Sequence, residues 1–218
     1  MAEMRTDEET VQAIKDWWKK NGTSLLLGVG AALAIVFGWQ AWQNQQVQYR
    51  TEAASQFANL INTYTDESDE NRAETVEFVA NNLREDYSDS AYAVYGSLIL
   101  AKQQLVEQDN AEAAVSTLEW ANSQADSSGP LALVIRSRLA RAQLGLEQYD
   151  AALTTLDGAA NADSFEAIFS ELRGDVLLAQ GNRDGAREAY LKARDRGAEQ
   201  RNAVLELKLA DLGVGEDA

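Results

Sequence analysis

Two hydrophobic patterns divide this chain. From Leu25 to Trp42 it reads LLLGVGAALAIVFGWQAW, apolar all round, and no charged side chain lies between Lys20 and Arg50. Eighteen residues at about 1.5 Å each reach roughly 27 Å, close to the hydrocarbon thickness of a bilayer. A core helix of a globular domain would carry charges along one face. Trp17 and Trp18 before the run, and Trp39 and Trp42 at its end, match the aromatic belts of a membrane span. The pattern predicts a short segment over 1–20 and a transmembrane helix over 21–43.

After Arg50 the period changes to that of amphipathic helices. The stretch QNQQVQYR (43–50) contains no breaker, and Ala54, Phe57, Leu60, Ile61 and Tyr64 share one face, so a helix is expected to continue through 51–64. TDESDEN (65–71) is the first loop. Its acids lack the Gly and the terminal Glu of a calcium-binding loop and suit a solvated turn before a helix N-terminus. Helices are then predicted over 73–83, 91–106 (with Ser88 and Ser90 as N-cap candidates) and 111–122. DSSGP (126–130) is the strongest break, and Pro130, the chain's only proline, fits the first turn of a helix running to about Leu146. Further helices are expected over 149–159, 164–179, 184–194 and 200–209. No stretch alternates as a strand would. The fold class is all-α: one N-terminal transmembrane helix followed by a helical-repeat domain over 44–210, with a tail over 211–218 expected to fray.

The repeat is visible in the letters. Residues 113–121 read AAVSTLEWA and 151–159 read AALTTLDGA. A second match falls at a spacing of 34, where Ala140, Ala152 and Leu156 recur as Gly174, Ala186 and Tyr190. The small residues belong where two antiparallel helices of a unit cross closely, and the larger ones between units. Spacing and pattern resemble the tetratricopeptide repeat, a stacked helix–turn–helix. The extra length before 151 arises mainly around DSSGP. The repeat's usual Trp and closing Pro are absent, and Arg183 stands where Tyr is common; an ordinary helical bundle is the alternative. The register also disposes of Arg173-Gly174-Asp175 as an adhesion tripeptide, because it puts Gly174 at a tight crossing.

The span ending in GWQAW, IRSRLARAQLGLEQYDAALTTLD (135–157) and ELRGDVLLAQGNRDGAREAY (171–190) together resemble the YfgM-like ancillary subunits of the Sec translocon. The resemblance implies an inner-membrane protein with a periplasmic tetratricopeptide-like domain. It also implies association with the protein-conducting Sec channel and with a membrane-anchored periplasmic chaperone of the prolyl-isomerase type; secretory client polypeptides are a further partner that a repeat groove would suit.

Charge sets the expected orientation. Lys15, Lys19 and Lys20 precede the span, whereas after Arg50 no basic residue occurs before Arg72, so the N-terminus is expected in the cytoplasm and the C-terminal domain across the membrane. A cleaved signal peptide would be shorter and end in small residues. Ala31, Ala32 and Ala34 leave that alternative open, but the run continues into Phe37, Trp39 and Trp42, which favours an uncleaved anchor. Gly30, Ala34 and Gly38 share one face and could pack against another membrane helix.

Residues 1–50 hold five charges of each sign, so the whole net charge of −16 falls on the domain after the span. Such a surface repels nucleic acid. The absence of His and Cys removes His-based acid–base chemistry, the usual triads and disulfides. No phosphate-binding loop or metal-ligand spacing occurs, and acid pairs such as Asp86/Asp89 are expected by chance in a chain with 35 acids. No enzyme and no cofactor are expected. Repeat solenoids bind peptides or helices on the concave face, built from the first helix of each unit. The register places Lys102, Ser137, Arg141, Leu144, Glu171, Asp175 and Leu178 there, as a groove of mixed charge with leucines.

Overall fold

A computed structural model of the chain describes residues 7–127, 129–158, 165–197 and 203–214. All the regular structure among them is helical: α1 (Asp7–Thr65), α2 (Arg72–Asp86), α3 (Ala91–Val106), α4 (Ala111–Gln124), α5 (Pro130–Gly145), α6 (Tyr149–Asp157), α7 (Glu166–Ala179), α8 (Arg183–Arg196) and α9 (Ala203–Asp211). The expected boundaries at 159, 164 and 200, and the ends of the chain at 1–6 and 215–218, lie outside the described residues. Two compact units emerge, Met1–Glu52 and Ala53–Ala218.

The first unit is helical from Asp7, fourteen residues ahead of the expected span. Its most apolar window has a mean hydropathy of 1.8 and is only 6 % buried. A soluble protein's core helix of that hydropathy would be covered by other elements, whereas this surface is bare, as a lipid-facing one must be. The rings of Trp39 and Trp42 lie 5.0 Å apart. Gly30 and Gly38 have open space around them and Ala34 is exposed, so the small-residue face carries no neighbour.

The second unit is built by repetition. Four hydrophobic clusters follow one another along it, each formed where consecutive helices meet. Leu60 at the end of α1 joins Val79, Leu83 and Leu100 of α2 and α3. Leu118 of α4 joins Ile135 and Leu139 of α5. Leu156 of α6 joins Leu172 and Val176 of α7, and Tyr190 of α8 joins Leu205 and Leu209 of α9. Packing is mainly between neighbours in sequence, with α5 also against α7. No helix pair buries its apolar face alone; each is covered by the next, the signature of a repeat solenoid.

Local signals set the helix ends. Ser90 caps α3, its hydroxyl accepting from Tyr92 N at 3.2 Å, and Pro130 opens α5. In the acidic loop, Asp66 accepts from the backbone and hydroxyl of Ser68, and Asp69 from Asn71 N. The Ser68 hydrogen bonds hold the Asp66 carboxyl below its usual range. This loop is the solvated turn its composition predicts.

The turns within units repeat as well. Glu147 (φ 59°) and Gly181 (φ 81°) are both left-handed and stand 34 residues apart. At each, the next amide reaches back five residues, Gln148 N to Gln143 O and Asn182 N to Leu177 O, the Schellman ending of a helix. The α3–α4 turn is one residue longer, with Asp109 left-handed and Asn110 N bonded to Gln104 O. The chain stays packed beyond α9: Leu212 is buried and Val214 is partly covered. Arg183 and Arg187 of α8 donate to Asp211 O and Leu212 O, which satisfies the carbonyls that end α9.

Candidate partner groove

The first helices of successive units, α3, α5, α7 and α9, bring one position into a column. Lys102, Arg141, Asp175 and Lys208 stand 39, 34 and 33 residues apart. At the upper end, Lys102 Nζ lies 5.3 Å from the centroid of the Tyr64 ring, a cation–π distance. At the lower end, Lys208 Nζ meets Asp175 Oδ1 at 2.7 Å and Glu171 Oε1 at 2.8 Å. Arg141 stands between them, exposed.

Between α3 and α5 the surface sinks into a hollow of about 240 Å³. Ala101 and Leu118 are its buried floor, Leu98 and Leu105 are half-buried, and Val106 is 73 % exposed. Its charged lining residues are Lys102, Arg138 and Arg141. The volume falls below the range of about 300–1,000 Å³ usual for a cofactor or drug-sized ligand; it suits one or two side chains of a docked segment.

The anionic end is closed by the fold itself. Burial works against the Lys208 ammonium, but its hydrogen bonds to Asp175 and Glu171 outweigh that and hold its pKa above the ordinary lysine value. Tyr190 OH donates to Asp175 Oδ1 at 2.7 Å, and burial together with that carboxylate raises the phenol's pKa. The expected groove residues therefore divide. Lys102 and Arg141 come together at the hollow. Leu144 and Leu178 are partly buried against the inter-unit clusters. Ser137 is buried, its hydroxyl donating to Val134 O at 2.8 Å. Glu171 and Asp175 are engaged by α9.

Comparisons with known proteins follow the same lines. Residues 15–214 match the family model of the tetratricopeptide repeat-like domain. A Haemophilus influenzae protein called "Ancillary SecYEG translocon subunit" is 31% identical over 212 residues, 97% of this chain and 100% of its own length. The Escherichia coli protein of that name is 33% identical over 185 residues, 84% of this chain and 85% of its own. The chain belongs to the ancillary SecYEG translocon subunit family. An Aggregatibacter actinomycetemcomitans relative of the same name is 27% identical over 97% of this chain and 100% of its own. No solved structure gives a significant match.

Sequence reasoning missed two features of this face. Arg138 lines the hollow one residue round the helix from Ser137, a step of about 100°. Lys208 neutralises the lower groove; its place in the column was readable from the spacing, but its pairing was not. The Arg173-Gly174-Asp175 tripeptide is structural, as the register implies. Arg173 pairs with Asp157, Gly174 is buried, and Asp175 faces Lys208 and Tyr190.

Proposed function

We propose that the protein is a non-enzymatic adaptor of the Sec translocon, held in the inner membrane by α1, its N-terminus cytoplasmic and its repeat domain periplasmic. The observation that carries this reading is the match, over nearly the whole chain, to relatives named for the translocon. The bare apolar surface of the first unit supports anchoring, and the lysines before the span support the orientation. Anchoring restricts the groove to the membrane plane and raises its effective concentration for partners there. The groove would engage a membrane-anchored prolyl-isomerase-type chaperone, emerging secretory chains, or both. The face formed by Gly30, Ala34 and Gly38 would pack against a helix of the channel.

Photo-crosslinking in native membranes tests the reading, with probes at Gly30 and Ala34 in the span and at Arg141 in the groove. Crosslinks from the span to the channel, and from the groove to a chaperone or nascent chain, are expected. Capture of a different envelope complex from both positions would replace this function with that of an anchored scaffold elsewhere.

A further inference from the structure

Most cations of the repeat domain are satisfied within the fold. Arg72 pairs with Glu107, Arg173 with Asp157, Lys192 and Arg196 with Glu166, and Lys208 with two carboxylates. Arg136 donates to Asn122 and the Gly158 carbonyl. Arg84 stacks on Trp120. Among the described residues Arg138 and Arg141 have no hydrogen-bond or ion-pair partner, and Lys102 has only the Tyr64 ring. All three line one apolar hollow. In a domain that carries the whole −16 charge, acids are abundant, yet none of the described ones pairs with these cations.

We propose that the hollow binds an acidic amphipathic protein segment, one with an apolar side chain flanked by carboxylates, in preference to a neutral or basic segment. The proposal rests on the reading of the concave face as the partner surface and adds the chemical class of the partner. The apolar residue would cover Val106 and the half-buried Leu98 and Leu105, and the carboxylates would meet Lys102, Arg138 and Arg141; the planar guanidinium groups suit bidentate pairing. Complementarity comes from what is left over. The acids of the same column, Asp175 with its neighbour Glu171, are already neutralised by Lys208, so the charge still open on this face is positive. This preference opposes the net charge of the molecule, which would draw a basic segment to any part of the surface. That opposition makes the inference easy to test.

The experiment is fluorescence anisotropy with the full chain in detergent micelles and two labelled peptides. One is an amphipathic peptide with Leu and Phe anchors and Glu at its polar positions; the other carries Lys at each of those positions. The acidic peptide is expected to bind at least about tenfold more tightly than its counterpart, and the double variant Arg138→Glu/Arg141→Glu to lose about tenfold of that binding. Since neither arginine has a partner in the fold, the melting temperature should stay unchanged. Val106→Asp, at an exposed position, should weaken binding without unfolding the domain. Equal binding of the basic peptide, or indifference to the charge reversal, overturns the proposal. So does binding to anionic phospholipid vesicles that is lost in the double variant, because the cations would then serve lipid headgroups. Translocon crosslinks without acidic preference would remove this inference alone. Acidic preference with crosslinks to another complex would remove only the proposed function.

Discussion

Replacing Gly174 by Ala tests the crossing of α7 and α8. A Cβ at this position would stand 2.3 Å from Cε1 and 2.4 Å from Cδ1 of Tyr190, well inside contact distance. The ring has nowhere to go: Tyr190 is fully buried, and its hydroxyl is tied to Asp175 at 2.7 Å. Overpacking of this kind costs about 1–3 kcal/mol or somewhat more. Against it stands the helix preference for Ala over Gly, worth about 1 kcal/mol. The net expectation is a loss of about 1–2 kcal/mol, or on the order of 2–8 °C in melting temperature for a domain of this size. The unit before shows how the site can be rebuilt, since Ala140 and Leu156 stand where Gly174 and Tyr190 stand here. In a Tyr190→Leu background, Gly174→Ala should therefore become neutral or stabilising, a coupling of about 2 kcal/mol. The assay is thermal unfolding of the full chain and its three variants in detergent, followed by far-ultraviolet circular dichroism. If Gly174→Ala destabilises equally in both backgrounds, Tyr190 is not what forbids a side chain there.

Three further outcomes can be measured, two of them at positions that recur between units. Glu147 is left-handed where the next unit has Gly181; Glu147→Gly should raise stability by about 0.5–1 kcal/mol, the relief of about 1–2 kcal/mol being partly offset by chain entropy, as a thermal shift would show. Thr117 and Thr155 donate to the side-chain oxygens of Gln104 and Gln143 at 2.9 and 2.8 Å, while Leu177 and Ala189 fill the corresponding places of the next unit. Thr117→Ala should cost about 1–3 kcal/mol by orphaning a buried acceptor, and adding Gln104→Leu should recover most of it, as a double-mutant cycle would read. Finally, the folded-state pKa values of Tyr190 and Lys208 are both raised. Their contributions are fully present below the unfolded values of about 10 for Tyr and 10.4 for Lys. As pH climbs past those values the unfolded chain releases its protons first, and the domain weakens. The melting temperature should fall through that alkaline range, less steeply in Tyr190→Phe, with no dependence on these groups near neutrality.

Much of the architecture was written locally. The span needed only an uncharged apolar run of bilayer length. The helix ends needed Ser90, Pro130 and the turn residues, whose effects reach a few positions at most. The repeat showed because small residues at crossings leave a mark in the letters: Gly174 is small for the reason its spacing suggested, and a Cβ there would strike Tyr190. Helical periodicity also put Lys102 and Arg141 on a common face. What it could not fix was where the exposed face ends and the core begins, because one residue turns a helix by about 100°. Ser137 fell inside that boundary and Arg138 outside it. Nor could local pattern say which charges would be used up within the fold. Glu171 and Asp175 meet Lys208 across 37 and 33 residues, a pairing set by how α9 packs against the unit before it. Local pattern was enough for an apolar anchor and a stack of helix pairs. Packing between helices set which charges on the shared face of α3, α5 and α7 stay unpaired, because ion pairing depends on distances between helices that no single helix encodes.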